Sequence, residues 1–192
     1  MKKRLAVMLF FGLAVLALSS YSNASDPANI VIKSGAIAFE GVTEKGAGEE
    51  GLVSSDERLF QNWMNSYSKI PYVKLGDKMT IEANRDLSGS YEIRDVLLKK
   101  DGTLKYKTQQ NIEPSPVTEI QFDQGVGSFV LTENMHAYLS SQSADYEPGA
   151  TIRGFKLYLK DTEETLIFVI QTDAGSSEEQ EVAFHCISTK PS

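Results

Sequence analysis

From Ile70 to the carboxyl end, apolar and polar residues alternate in short runs separated by turn-forming residues. A period of two sends successive side chains to opposite faces of a strand, so each run predicts a strand with one face turned to a core. KMTIEA (78–83) and YEIRDVLLKK (91–100) are two such runs. Asp101-Gly102 follows as a favoured pair for a tight hairpin, whose two central residues both need positive φ. Beyond it Leu104 and Tyr106 fall on one face, Lys105 and Lys107 on the other. Pro114 and Pro116 deny ladder donors, which predicts an edge or crossover before TEIQFDQGVGSFVL (118–131). MHAYLSS, ATIRGFKLYLKD, TLIFVIQTD and EVAFHCIS continue the series. In TLIFVIQTD, Leu166 to Ile170 are all apolar, as expected of a strand covered on both sides. In ATIRGFKLYLKD, Phe155, Leu157 and Leu159 take the core face and leave Lys156, Tyr158 and Lys160 outside.

The amino-terminal part has a different rhythm. NIVIKSGAIAF (29–39) predicts a strand, and EGVTEKGAGEEG (40–51), rich in Gly and Glu, a mobile loop. Then Leu59, Phe60, Trp63, Met64 and Tyr67 recur at helical spacing, and Ser54 with Glu57 forms the capping-box pattern. The spacing predicts a helix from Ser55 to Ser68 whose apolar face, with Trp63 and Tyr67, either packs on the sheets or docks a partner.

About eight short strands with polar turns and no alternating long helices predict a mainly β fold. The expectation is an antiparallel β-sandwich with one short amino-terminal amphipathic helix. DYEPGATIRGFKLYL (145–159) resembles the corner before a late strand of fibronectin-type and other immunoglobulin-like sandwiches. The resemblance implies an immunoglobulin-like topology and carries no functional residues with it.

Lys2, Lys3 and Arg4 precede an apolar run from Leu5 to Leu18, with Ser22 and Ala24 as small residues of a cleavage site. Residues 1–24 therefore read as a secretory signal peptide, too short in its apolar core to span a bilayer. The expected location is secreted or periplasmic, with no transmembrane anchor. The remaining chain divides into 25–51, the strand and loop, and 52–192, the sandwich, together one domain. Of the 19 Lys and Arg three lie in the leader, which leaves 16 against 26 Asp and Glu, a balance of −10. Such a surface is a poor partner for nucleic acid. Cys186 is the only cysteine, so no internal disulfide forms; on an alternating strand its expected role is that of a small buried hydrophobe.

Candidate chemistry is sparse. His136 and His185 fall on predicted strands, no pair of histidines has metal-ligand spacing, and no nucleophile elbow is present. Gly125 and Gly127 predict a turn or bulge, since no Lys-Ser or Lys-Thr pair follows to make a phosphate loop. NRDLSGSYEIRD (84–95) places Asn84, Asp86, Ser88, Glu92 and Asp95 near the intervals of a calcium loop. It does so between two strands, where a hairpin turn is the simpler reading and calcium at most a weak structural ion. Tyr158 between Lys156 and Lys160 is placed to stack on a sugar or a peptide, and these three residues with Trp63 and Tyr67 are the candidate binding residues. The expected function is a non-enzymatic interaction module for an envelope or extracellular protein or polysaccharide. The alternatives are an extracytoplasmic hydrolase using carboxylates or His136, and a structural subunit that self-associates by strand pairing.

Overall fold

The computed structural model describes residues 29–45, 53–106 and 116–175. Eight antiparallel strands lie within them: β1 (Ile30–Ser34), β2 (Ile37–Lys45), β3 (Lys78–Ala83), β4 (Gly89–Leu98), β5 (Val117–Asp123), β6 (Val126–Val130), β7 (Thr151–Leu159) and β8 (Glu164–Thr172). They close into a barrel in the order β1-β2-β8-β7-β4-β5-β6-β3, with β3 returning to β1. The immunoglobulin-like sandwich expected from the strand pattern is thus corrected to a closed barrel. The helix α1 (Val53–Ser66) follows β2 rather than standing at the amino end of the fold.

The physical reason for the correction is a strand that changes neighbours. β2 pairs with β1 from Ile37 to Gly41 and with β8 from Val42 to Lys45. The change falls at Gly41, where a Cβ would come within 2.5 Å of the Leu166 Cδ1 and 2.8 Å of the Ile32 Cδ1. Only glycine lets the backbone turn that corner without displacing both side chains. Alternation along a strand reports its two faces and is silent about which strand lies beside it.

The second seam is shorter. β5 and β6 pair only at Phe122↔Gly127 and Asp123↔Val126, around a two-residue turn in which Gln124 and Gly125 both have positive φ, 48° and 82°. This is the turn chemistry expected at Asp101-Gly102. There only Gly102 has positive φ, 79°, and the Asp101 carboxylate instead accepts from the Thr103 N–H (2.9 Å) and hydroxyl (2.7 Å). The strand expected at MHAYLSS is a 3-10 turn, Met135–Leu139, capped by the Asn134 side chain accepting from the His136 N–H.

The barrel interior is filled. Phe39, Phe168, Phe155 and Phe129 form a chain of rings from β2 through β8 and β7 to β6, with centroids 6.1, 4.9 and 5.8 Å apart. Ile32, Ile81, Ile93, Ile120, Leu157 and Leu166 pack around it, all essentially inaccessible. An eight-stranded barrel is just wide enough for its own side chains to fill, and the lumen here is a core.

α1 covers the outside of β4, β7 and β8. Phe60 lies over Gly154, where a Cβ would sit 2.7 Å from the ring, and beside Leu98. Trp63 is buried and stacks on Tyr67 at 4.1 Å, and the Tyr67 hydroxyl donates to the Glu40 carbonyl at 3.0 Å. That bond ties the chain after the helix to β2 near its change of partner. With the core inside and the helix outside, β7 and β8 are buried on both faces, as expected for Leu166 to Ile170.

Each end of the barrel carries an ion pair, buried at one end and partly buried at the other. At one end Arg153 clasps Asp95 with Nε (3.1 Å) and Nη2, donates through Nη1 to the Thr132 carbonyl at 2.6 Å, and lies over the Phe155 ring at 5.4 Å. Asn134 donates to the same carboxylate at 3.0 Å. At the other end Arg85 Nη1 donates to Glu164 at 2.9 Å. The free strand faces carry Lys33, Lys78, Glu82, Glu92, Arg94 and Glu119. Apolar inside and charged outside is the reverse of the pattern of a bilayer-spanning barrel, and among the described residues no helix is long and apolar enough to cross a membrane. The expected signal peptide, His185, Cys186 and the final expected strand lie outside the described residues.

Candidate binding face

The outward side chains of β5, β4 and β7 form one continuous surface beyond the edge of the helix. In register across β5, β4 and β7, Val117, Arg94 and Lys156 make one row. Glu119 lies opposite Glu92 and Gln121 opposite Ser90 in the next two. Tyr158 and Lys160 continue β7 alongside them. Ser90, Glu92, Arg94, Val117, Glu119, Lys156, Tyr158 and Lys160 line a groove of about 450 Å³. Lys156 is buried, Tyr158 half-buried and Lys160 exposed.

Like charges face each other twice here, Arg94 against Lys156 and Glu92 against Glu119. Such pairings are unfavourable on a sheet. The Asp95 N–H bonds to the Pro116 carbonyl at 3.1 Å, which makes Asp95 and Pro116 a hydrogen-bonded pair. By alternation Glu92 and Glu119 form a close, non-hydrogen-bonded pair, in which side chains approach most nearly. The Ser90 hydroxyl donates to Glu119, and the basic row beside the two acids supplies the opposite sign. The result is a mixed patch in which cations and carboxylates stand around one aromatic ring.

Of the residues singled out in the sequence, the structure brings Lys156, Tyr158 and Lys160 together and adds Arg94, Glu92 and Glu119 to them. Arg94 and Glu119 were missed, and Glu92 was singled out only as a calcium ligand, because strand alternation places a residue outside without saying which strands adjoin it. Trp63 and Tyr67 do not line this groove: Trp63 is buried under the face of α1, and Tyr67 is committed to Trp63 and Glu40. Burial, then the nearby Glu40 charge, pushes the Tyr67 phenol up.

The calcium-loop residues do not converge. Asn84, Asp86 and Ser88 sit in the β3–β4 turn, where the Ser88 hydroxyl donates to Asp86 at 3.0 Å. Glu92 points outward from β4 while Asp95 points inward to Arg153. Six residues along a strand also put Asp95 about 20 Å from Gly89 at ~3.3 Å per residue. Among the described residues no three His, Cys, Asp or Glu side chains group to hold a metal ion.

A second groove of about 450 Å³ lies near the Arg153 end, lined by Lys99, Lys105, Tyr106, Leu139, Ser140 and Asp145 among others. Asp145 there accepts from Lys105 at 2.8 Å and from the Ser140 hydroxyl. Lys105 first, then Ser140, holds its carboxyl below the ordinary range. A carboxylate so stabilised as an anion is a poor base toward the serine beside it, so the cluster fastens the chain after β4 to the 3-10 turns. His136 lies on one of those turns, away from the strand expected for it.

Neither protein-family models, curated proteins nor solved structures give a match to this chain.

Proposed function

We propose that this protein is an exported, non-catalytic binding module that holds a macromolecular partner on the outer face of β4, β5 and β7. The observation that carries the reading is Tyr158, half-exposed in a groove between Lys156, Lys160 and Arg94 on one side and Glu92 and Glu119 on the other. Aromatic rings ringed by polar groups supply contact area together with orientation, the combination that dominates binding surfaces. The filled barrel supports an external site, since Phe155, Phe168 and their neighbours occupy the space in which a carrier barrel would hold a small ligand. Export is supported by the basic and apolar leader of residues 1–24.

The test is retention of envelope proteins and polysaccharides by the immobilised chain, compared with Tyr158→Ala. Loss of the retained species with stability changed by less than ~0.5 kcal/mol is the expected result for a surface side chain. Equal retention by both proteins would remove Tyr158 from the site, and turnover of any retained substrate would remove the non-catalytic reading.

A further inference from the structure

The groove ends at β5, and β5 is where the ladder comes apart. Because Asp95 and Pro116 form a hydrogen-bonded pair across β4 and β5, the register makes Thr118, Ile120 and Phe122 the residues whose backbone groups face β4. The N–H and C=O groups of Val117, Glu119 and Gln121 therefore point the other way, toward β6. On β6 the Leu131 N–H bonds to the Asp77 carbonyl at 2.9 Å, so Phe129 and Gly127 face β3 while Ser128 and Val130 face β5. Phe122↔Gly127, with Phe122 bonded to β4 and Gly127 to β3, is a non-hydrogen-bonded pair that implies a Ser128 N–H bond to the Gln121 carbonyl; beyond it the two rows do not pair with each other. The strands part in a wedge that opens away from the Gln124-Gly125 turn. Exposed valines stand on its margins, Val117 (47%) on β5 and Val130 (53%) on β6.

We propose that this wedge is a strand-addition site for an extended segment of a partner polypeptide, apolar on one face and basic on the other. The proposal rests on the binding-face reading above and names the partner's chemistry. Parted edges whose backbone groups have no ladder partner among the described residues are templates for an incoming strand, with backbone bonds giving affinity and alternate side chains giving specificity. A strand laid along β5 turns every second side chain toward Ile120 and Phe129, which are already buried, so only small apolar groups fit there. Its other side chains lie beside Val117, Glu119 and Gln121. Glu119 is already opposed by Glu92, so a Lys or Arg at that point relieves a like-charge pair. The partner continues past Val117 toward Arg94, Lys156 and Tyr158, which makes the wedge and the groove one site.

The experiment uses the full chain and a capped heptapeptide of alternating valine and lysine, with calorimetry for affinity and hydrogen exchange for location. The expected result is binding with new protection at the Glu119 and Gln121 amides. Gln121→Pro removes an N–H that the β4 ladder does not use, and weakens binding roughly tenfold or more. Alternate N-methylation of the peptide does the same with no change to the protein, should the proline variant fold poorly. If Tyr158→Ala weakens binding while Gln121→Pro and N-methylation do not, strand addition is overturned and the binding face stands. If the two backbone changes weaken it and Tyr158→Ala does not, strand addition stands and the groove is displaced as the site. No binding, or indifference to all three changes, overturns both. Concentration-dependent self-association abolished by Gln121→Pro would replace the partner with a second copy of this chain.

Discussion

The two hairpins β5–β6 and β7–β8 end up in opposite roles. β7 and β8 pair along their whole length, from Thr151↔Thr172 to Leu159↔Glu164. Their inner face holds the stacked Phe155 and Phe168, and part of their outer face, at Gly154, lies under α1. β5 and β6 have the tighter turn, yet they separate after two pairs and leave valines in solvent. A good turn therefore does not make a tight hairpin; what a strand packs against on each face does. Stability is concentrated in one hairpin and accessibility in the other, the division expected when binding elements are drawn from the less stable parts of a fold.

The largest effect is expected where the β7–β8 side holds a charge in the core. Arg153→Ala leaves Asp95 buried without its partner, and urea unfolding should show a loss of ~3–5 kcal/mol. An unchanged midpoint would mean that Asp95 is solvated and that this end of the barrel is open. Gly154→Val should cost ~1–3 kcal/mol, because its new side chain meets the Phe60 ring that lies 2.7 Å from the ideal Cβ position. Adding Phe60→Leu should recover part of that cost, and strict additivity of the two losses would show that the helix does not sit on this face.

Alkaline pH probes the end of β8, where Tyr72 bridges to Gln171 and bonds Asp173. The Tyr72 phenol is pushed up from 10.0 to about 12 by burial first, then by its hydrogen bond to Asp173. Burial likewise raises Tyr91 and Tyr106. The unfolded chain loses these protons first, so the contribution of each phenol is whole below its unfolded value and is lost as pH rises through the folded one. For Tyr72 that window runs from 10.0 to about 12. Melting temperature should fall across it, and Tyr72→Phe should make the fall shallower; the same slope in both proteins would contradict the assignment. Least affected should be the β5–β6 margin, where Val130→Thr is expected to change stability by less than ~0.5 kcal/mol in the same urea assay. A cost comparable to that of Gly154→Val would mean that the wedge is packed.

Much of the strand pattern was legible. KMTIEA coincides with β3, the inward set Phe155, Leu157 and Leu159 is buried, and Tyr158 and the two lysines beside it lie on the outer face. These follow from a period of two, which each strand carries within itself. Closure was not legible, because it depends on β2 exchanging β1 for β8 at Gly41, a fact about neighbours. MHAYLSS misled for a related reason. Met135, Ala137 and Leu139 alternate, yet only Ala137 is buried, and the Asn134 cap turns the chain before a ladder forms. Half of the candidate face was visible as Lys156, Tyr158 and Lys160. Arg94, Glu92 and Glu119 required the register of β4 between β5 and β7.

Native-state hydrogen exchange of the free protein tests the contrast between the hairpins most directly. The β7–β8 amides should exchange only through global unfolding. Along β5, Glu119 and Gln121 should exchange rapidly while Thr118, Ile120 and Phe122, bonded to β4, stay protected. That alternation, with Val130 fast on β6, is the predicted result. Uniform protection along β5 would show that the wedge is closed, and would contradict the account.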